Sequence, residues 1–309
     1  MEMGPLKSAS HLQQRNRLLQ QTLRPTNLPF SIQTEYPIVL DTKNNQLSHG
    51  LIIDDKLIAH ANLWPRNLID SRGHTISRVG LVGNVATHPE WQGRGLMAKL
   101  FQYLEAVAQD QGLEALILWS DLVQFYQKLG FQSLGEEWLF QFSNELGNTR
   151  TPSNISLDFP VQRSLNHEEL QKLLRLRPEV PTTLERSPVE FAQLLEIPSC
   201  DLCLLTVDGE VQAYTILGKG YDMMGVVHEW GSESADFLEV CLGHILQFHQ
   251  FDKIYLLSPY YIAENWLSFY HSKAISKQKL AMALVKPLSI SWKHRELAER
   301  GFIWGLDSI

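Results

Sequence analysis

The stretch His88–Phe101, HPEWQGRGLMAKLF, decides the reading of the chain. Gly93-Arg94-Gly95 stands directly before an apolar run at helical spacing, with Leu96, Met97, Leu100, Phe101, Leu104, Val107 and Ala108 on one face. Upstream, VGLVGNVAT (Val79–Thr87) has the composition of a strand. Two glycines around an arginine extend neither a strand nor a helix. They suit a turn that needs φ > 0 and a close approach to the backbone. A strand that turns through such a loop into a helix aims several backbone N–H groups one way, and those donors have no partner within the helix. The helix dipole adds partial positive charge, so the loop is a ready seat for an anion such as a phosphate. Arg94 and Lys99 add charge at its rim. Neither Gly-x-x-x-x-Gly-Lys-Ser/Thr nor Gly-x-Gly-x-x-Gly occurs, so the two common nucleotide loops are excluded.

Working outward, residues 5–22 read as a polar-faced helix that ends before Pro25. Gly50–Ile53 and Leu57–Ala61 flank Asp54-Asp55-Lys56, which is a hairpin pattern. After the helix at 95–108, Ala115–Trp119 reads as a buried strand. Asp121–Lys128 reads as a short helix stopped by Gly130, and Phe131–Phe142 as a further strand. The stretch ELGNTRTPSNISLDFP (Glu145–Pro160) is rich in turn formers and reads as a linker. The expected organisation is therefore one domain at 1–145, a linker at 146–160 and a second domain at 161–309.

The second half repeats the first. VDGEVQAYT (207–215) matches IDDKLIAHA (53–61), VVHEWG (226–231) stands where the third strand stood, Phe237–Phe248 is helical, and IYLLS (254–258) matches ILWS (117–120) in type. Phe269-Tyr270 echoes Phe125-Tyr126. The glycine loop has no counterpart: GSESADFLEV (231–240) joins strand to helix without Gly-x-Gly.

Composition narrows the class. At 309 residues, with 44% hydrophobic and 20% charged residues, the chain reads as a soluble globular protein of two domains. A net charge of −7 argues against a general nucleic-acid binder. No apolar run approaches a membrane span and the N-terminus has no signal-peptide core, so no membrane partner and a cytoplasmic location are expected. Cys200, Cys203 and Cys241 read as reduced, mostly buried thiols, because Cys200-x-x-Cys203 lacks a second ligand pair; no metal is expected.

The order strand, glycine loop, helix, strand, short helix, strand resembles the GCN5-related N-acetyltransferase (GNAT) superfamily. Its acetyl-CoA motif, Gln/Arg-x-x-Gly-x-Gly/Ala, corresponds to Gln92-Gly93-Arg94-Gly95-Leu96-Met97, entered from Asn84-Val85-Ala86-Thr87-His88-Pro89. Met97 departs from the usual Gly or Ala. A Tyr-x-Lys-x-Gly-Phe helix end corresponds to Tyr126-Gln127-Lys128-Leu129-Gly130-Phe131. The resemblance is firm over residues 45–143. It implies an α+β fold of two GNAT-like domains, each a mixed, mostly antiparallel sheet flanked by helices, with the second domain degenerate. It also implies that acetyl-CoA is the cosubstrate. Its pyrophosphate would lie on the backbone of Gln92, Gly93, Arg94, Gly95, Leu96 and Met97, and its pantetheine arm along Val85, Ala86 and Thr87.

Acetyl transfer to an amine needs a neutral amine, a polarised thioester carbonyl and a protonated leaving thiolate. By resemblance, Tyr126 would supply the last proton; its bland alternative is a core aromatic beside Phe125. Asp121 and Ser120, at the strand end, could bind the acceptor or relay a proton, although Asp121 equally suits a helix N-cap. His60 reads as structural, and His88 and Glu90 as solvated. In the second half His228 and Glu229 read either as an acceptor-pocket pair or as a satisfied ion pair. The apolar tail GFIWGLDSI should pack back onto the body. Enhanced-intracellular-survival-type acetyltransferases, which this chain resembles in the Gly-Arg-Gly-Leu loop, use a terminal carboxylate as base; Ile309 would be its counterpart, although their long middle region does not fit here. The expected activity is acetyl transfer from acetyl-CoA to a primary amine of a small molecule or peptide, by direct attack in a ternary complex in a monomer or homodimer. The alternatives are a non-catalytic acyl-CoA-binding regulatory module and a tandem aminoacyltransferase.

Overall fold

A computed structural model describes residues 1–25, 27–148, 154–262, 264–290, 292, 297 and 300–309. The first half runs β1 (Glu2–Pro5), α1 (Ala9–Leu23), α2 (Ile32–Glu35), β2 (Ser48–Ile53), β3 (Lys56–Asp70), β4 (Thr75–Thr87), α3 (Leu96–Asp110), β5 (Ala115–Leu118), α4 (Val123–Lys128) and β6 (Gln132–Ser143). The second runs β7 (Ile155–Asp158), α5 (His167–Leu176), β8 (Thr182–Leu184), α6 (Pro188–Leu194), β9 (Asp201–Val207) and β10 (Glu210–Leu217). It continues through β11 (Val226–Ser232), α7 (Ala235–His249), β12 (Lys253–Pro259), α8 (Glu264–Lys273) and β13 (Ser276–Pro287).

Among the described residues these strands form one sheet in the order β1-β2-β3-β4-β5-β13-β6-β12-β11-β10-β9-β7, with β8 on β3. Two neighbouring pairs in that order, β4–β5 and β11–β12, are parallel, so the sheet is mixed and mostly antiparallel, as the fold class requires. The two halves exchange strands. β13, from the second half, lies between β5 and β6, and β6, from the first, lies between β12 and β13. The pattern of each half alone could not reveal this, because Phe140 and Phe142 would be equally buried in either sheet.

Strand alternation sorts the core onto two faces. On β5, Leu116 and Leu118 join the cluster under α3, with Leu100, Phe101 and Leu104. Ala115 and Ile117 join a larger cluster under α1 that extends through the second half. The helix expected at 5–22 starts at Ala9, because Glu2–Pro5 pairs with β2 and the Ser8 hydroxyl accepts the His11 N–H at 3.0 Å. Within the expected linker, Ile155–Asp158 pairs with β9, while residues 149–153 lie outside the described residues.

Candidate active site

β4 and β5 are paired from Val79–Ala115 to Leu81–Ile117 and then part. β4 carries a bulge at that point: His60 faces Ala86 and Asn62 faces Gly83, so Asn84 and Val85 oppose Ala61 alone. Asn84 takes φ +50°, and His60 Nδ1 donates to its carbonyl at 2.9 Å. A carbonyl only accepts, so the Nδ1 of His60 carries the proton. Burial lowers the His60 pKa to about 3, which keeps the ring neutral.

The glycine loop follows. Gly93 and Gly95 adopt φ of +74° and +70°, and a β-carbon on either would meet nothing within 4 Å. The first backbone bond across the start of α3, Lys99 N–H to Gly95 carbonyl at 3.3 Å, lies after the N–H groups of Leu96, Met97 and Ala98, and no side chain caps this end. Gln92 Nε2 donates to the Thr87 carbonyl at 3.1 Å, and Arg94 donates to the Glu90 carbonyl at 3.0 Å with its guanidinium 4.8 Å over the Trp91 ring. These bonds fix the loop at the wall of a cavity of about 460 Å³. That cavity is lined by Val85, Ala86, Thr87, Gln92, Gly93, Gly95, Leu96, Met97 and Tyr126, and by Thr22 and Leu23 of α1. Met97 is otherwise buried in the core under α3. In the second half the Ser234 hydroxyl accepts the Phe237 N–H at 3.3 Å at the start of α7. A hydroxyl there occupies a donor that the first half leaves open.

A second cavity, of about 500 Å³, adjoins the first and shares Leu23, Val85, Leu122 and Tyr126 with it. Gly83, Asn84, Ser120, Asp121, Lys219, Asp222, Ser308 and Ile309 line it. Tyr126 therefore stands at the junction. Its ring is 5% exposed and meets Phe101, Phe125 and Phe131 edge-on, so the core-aromatic and junction placements coexist. Burial pushes its hydroxyl pKa up to about 12, and a side-chain hydrogen bond with Ser120 works the other way. It remains a proton donor at neutral pH. Ser120 Oγ accepts the Leu122 N–H at 3.1 Å. Leu122 is the N-cap of α4 and the side-chain bond at that end comes from Ser120, so the N-cap role open to Asp121 is not realised. Asp121 is exposed at the cavity wall.

Ile309 reaches this cavity, whereas His228 and Glu229 do not. Both of the latter are wholly buried. His228 Nε2 bonds the Gly218 carbonyl at 2.7 Å, and its ring packs on Gly305. Glu229 accepts from both Arg177 and Arg186, and Arg186 also grips Asp307 at 2.9 and 2.6 Å. Burial alone would raise the Glu229 carboxyl, but Arg177 and Arg186 hold it below its ordinary value. Glu229 is thus a satisfied ion-pair partner and His228 a carbonyl-bonded core ring, both away from the cavity, and their consequence is positional. The network anchors the tail, and Lys219 Nζ completes the grip by donating to the carbonyls of Gly305 (2.9 Å), Leu306 (3.2 Å) and Ser308 and to Ser308 Oγ (3.0 Å).

Arg24, Tyr36 and Asp222 at the cavity wall carried no signal in the sequence. Arg24 bonds Asp222 at 2.9 Å and Tyr36 Oη bonds it at 2.6 Å, joining residues nearly two hundred positions apart. Among the described residues no group of three or more His, Cys, Asp or Glu could hold a metal, and no helix is long and apolar enough to cross a membrane. The cysteines are free.

Residues 6–134 match the family model described as an acetyltransferase (GNAT) domain. No curated protein matches the sequence. In fold, the chain is similar to a GCN5-related N-acetyltransferase from Anabaena variabilis ATCC 29413 (TM-score 0.64, 16% identity, 94% of this chain and 73% of that one). It is also similar to Eis1 from Mycobacterium abscessus (TM-score 0.62, 14% identity, 94% and 74%). A tandem GNAT protein from the clavulanic acid biosynthesis pathway aligns over nearly the whole of both chains (TM-score 0.57, 9% identity, 94% and 99%). Residues 6–134 thus match an acetyltransferase (GNAT) domain, in a chain whose fold is similar to that of a tandem GNAT protein.

Proposed function

We propose that this chain transfers an acetyl group from acetyl-CoA to a primary amine of a small molecule or peptide, by direct attack in a ternary complex. One observation carries the reading: Tyr126 stands between a cavity walled by the glycine loop and a second, polar cavity. In this reading the backbone from Gln92 to Met97 seats the pyrophosphate and Val85, Ala86 and Thr87 pair with the pantetheine arm. The amine enters beside Ser120, Asp121 and Ile309. Its nitrogen attacks the thioester carbonyl carbon, the C–N bond forms as the C–S bond breaks, the leaving thiolate takes the Tyr126 proton, and the N–H proton lost by the amine passes through solvent beside Asp121 to restore the Tyr126 hydroxyl. A backbone N–H at Ala86 or Thr87 polarises the carbonyl.

The proposed division of labour keeps the cofactor loop and Tyr126 at 1–145, a linker at 146–160 and a degenerate half at 161–309 that adds Lys219, Asp222 and Ile309 to the acceptor-side wall. Two features support it. The second half has a capped helix start where the first has the open loop. The gap between β11 and β12 is bridged by Trp230, whose Nε1 donates to the Leu257 carbonyl at 3.2 Å. The test is turnover of acetyl-CoA, read as free thiol, across polyamines, aminoglycosides, amino acids and peptides. Release of thiol that depends on one class of amine is expected. Coenzyme A binding without turnover on any acceptor would instead make the chain a regulatory acyl-CoA-binding module.

A further inference from the structure

The polar groups around the second cavity are mostly engaged. Arg24 bonds Glu35 and Asp222, Lys219 holds the tail, and Ser120 caps Leu122. Asn84 differs. Its side chain is 6% exposed and lines the acceptor-side cavity but not the cofactor-side one. Neither Oδ1 nor Nδ2 has a hydrogen-bond partner among the described residues. A buried carboxamide with both ends unpaired is costly, and such groups are normally satisfied by something. Asparagine tolerates the φ of +50° at this bulge, but glycine would serve it equally without burying an amide.

The second half shows the same position in a closed state. Asn84 lies three residues beyond Leu81, the last residue of β4 paired with β5, and Trp230 lies three residues beyond Val227, the last residue of β11 paired with β12. There the Trp230 N–H crosses the parting strands to a carbonyl of β12 and fills the gap. In the first half no such bond closes the gap among the described residues, and Asn84 at the cavity wall keeps a buried donor and a buried acceptor without a partner, within reach of a ligand once the side chain turns into the cavity.

Building on the acetyl-transfer reading, we infer that Asn84 binds the acceptor. Oδ1 accepts an N–H of the attacking amine, which orients the nitrogen lone pair toward the thioester. Nδ2 donates to an oxygen or nitrogen elsewhere on the same molecule. The substrate class is therefore a primary amine with a hydrogen-bond acceptor a few atoms away, such as an amino amide or amino alcohol, and not a plain alkylamine.

The experiment compares glycinamide with n-propylamine, by calorimetric binding to the coenzyme A complex and by acetyl-transfer KM. The wild-type protein should prefer glycinamide at least tenfold. Asn84→Gly, which suits the left-handed backbone, should bind coenzyme A within twofold of wild type and lose the preference. Asn84→Asp keeps the acceptor and loses the donor, so it should still bind both amines but favour glycinamide no longer. If either variant keeps the wild-type preference, or if neither amine binds the coenzyme A complex, the assignment is overturned. Failure of the wild-type chain to bind coenzyme A at all would overturn the acetyl-transfer reading and this assignment with it.

Discussion

The carbonyl carbon of Ile309 lies 2.3 Å from where a β-carbon on Gly83 would stand, and its oxygen lies 2.4 Å away. β4 is therefore glycine at this point so that the tail can lie on it. Gly83→Ala must push Ile309 out of the proposed acceptor cavity, because the sheet-paired backbone of β4 cannot yield by a full ångström and the tail must. Acceptor KM should rise at least tenfold while the coenzyme A Kd changes little, since Gly83 is absent from the cofactor wall. Appending three residues after Ile309 separates the tail's shape from its carboxylate. Unchanged activity in that variant would dismiss a carboxylate base.

Tyr126→Phe removes the proton donor and keeps the aromatic packing against Phe101, Phe125 and Phe131. General-acid loss of this kind typically costs about 10²–10⁴ in rate. The expected result is a fall in kcat of about that size with coenzyme A affinity preserved and stability nearly unchanged. A variant with wild-type kcat would exclude Tyr126 as the acid.

Gly95→Ala puts a β-carbon at φ +70° at the start of α3. Space is open there, so the cost is backbone strain of about 1–2 kcal/mol. Relaxing that strain would turn the first-turn N–H groups away from the phosphate seat. Coenzyme A should bind about tenfold more weakly by calorimetry, whereas Gly231→Ala would impair folding instead, because its β-carbon would meet the backbone of Leu176 and Arg177.

The glycine loop, the α3 face and Tyr126 were legible in the sequence because each rests on local spacing. Gly95 must be left-handed, and Leu96 to Ala108 follows a 3.6-residue period. Glu229 was ambiguous for the opposite reason. Its partners Arg177 and Arg186 lie 52 and 43 residues away, so an apolar strand with one carboxylate could equally have lined a pocket. The exchange of β6 and β13 was invisible on similar grounds, since alternation tells a strand which face is buried but not which neighbour it pairs with. From the residues alone Ile309 was legible only as an apolar residue in need of cover; its candidacy as a base rested on the resemblance.

Arg186 is wholly buried between Glu229 and Asp307. Arg186→Met keeps much of the volume but leaves two buried carboxylates short of a cation. Removing one partner of such a network typically costs about 3–5 kcal/mol. Urea unfolding should show a loss of that order, and the tail should become accessible to carboxypeptidase. The double change Arg186→Met, Asp307→Asn leaves Glu229 paired with Arg177 and no uncompensated charge, and should recover part of the stability. If the single variant is as stable as wild type, the network does not hold the tail.

His49, His60 and His228 are all buried, and burial lowers their pKa values to about 4, 3 and 4. Each folded-state value lies below the ordinary 6.5, so below pH 6.5 the unfolded chain takes up protons that the folded chain refuses. Stability is therefore full above about pH 6.5 and falls as the pH drops through the window from 6.5 to about 4. The slope is on the order of 1 kcal/mol per histidine per pH unit. Denaturant midpoints should hold between pH 7.5 and about 6.5 and fall from there to pH 5, and His228→Asn should flatten that slope by about a third. A midpoint that does not move between pH 7 and pH 5 would mean that these rings are hydrated or paired in the folded protein.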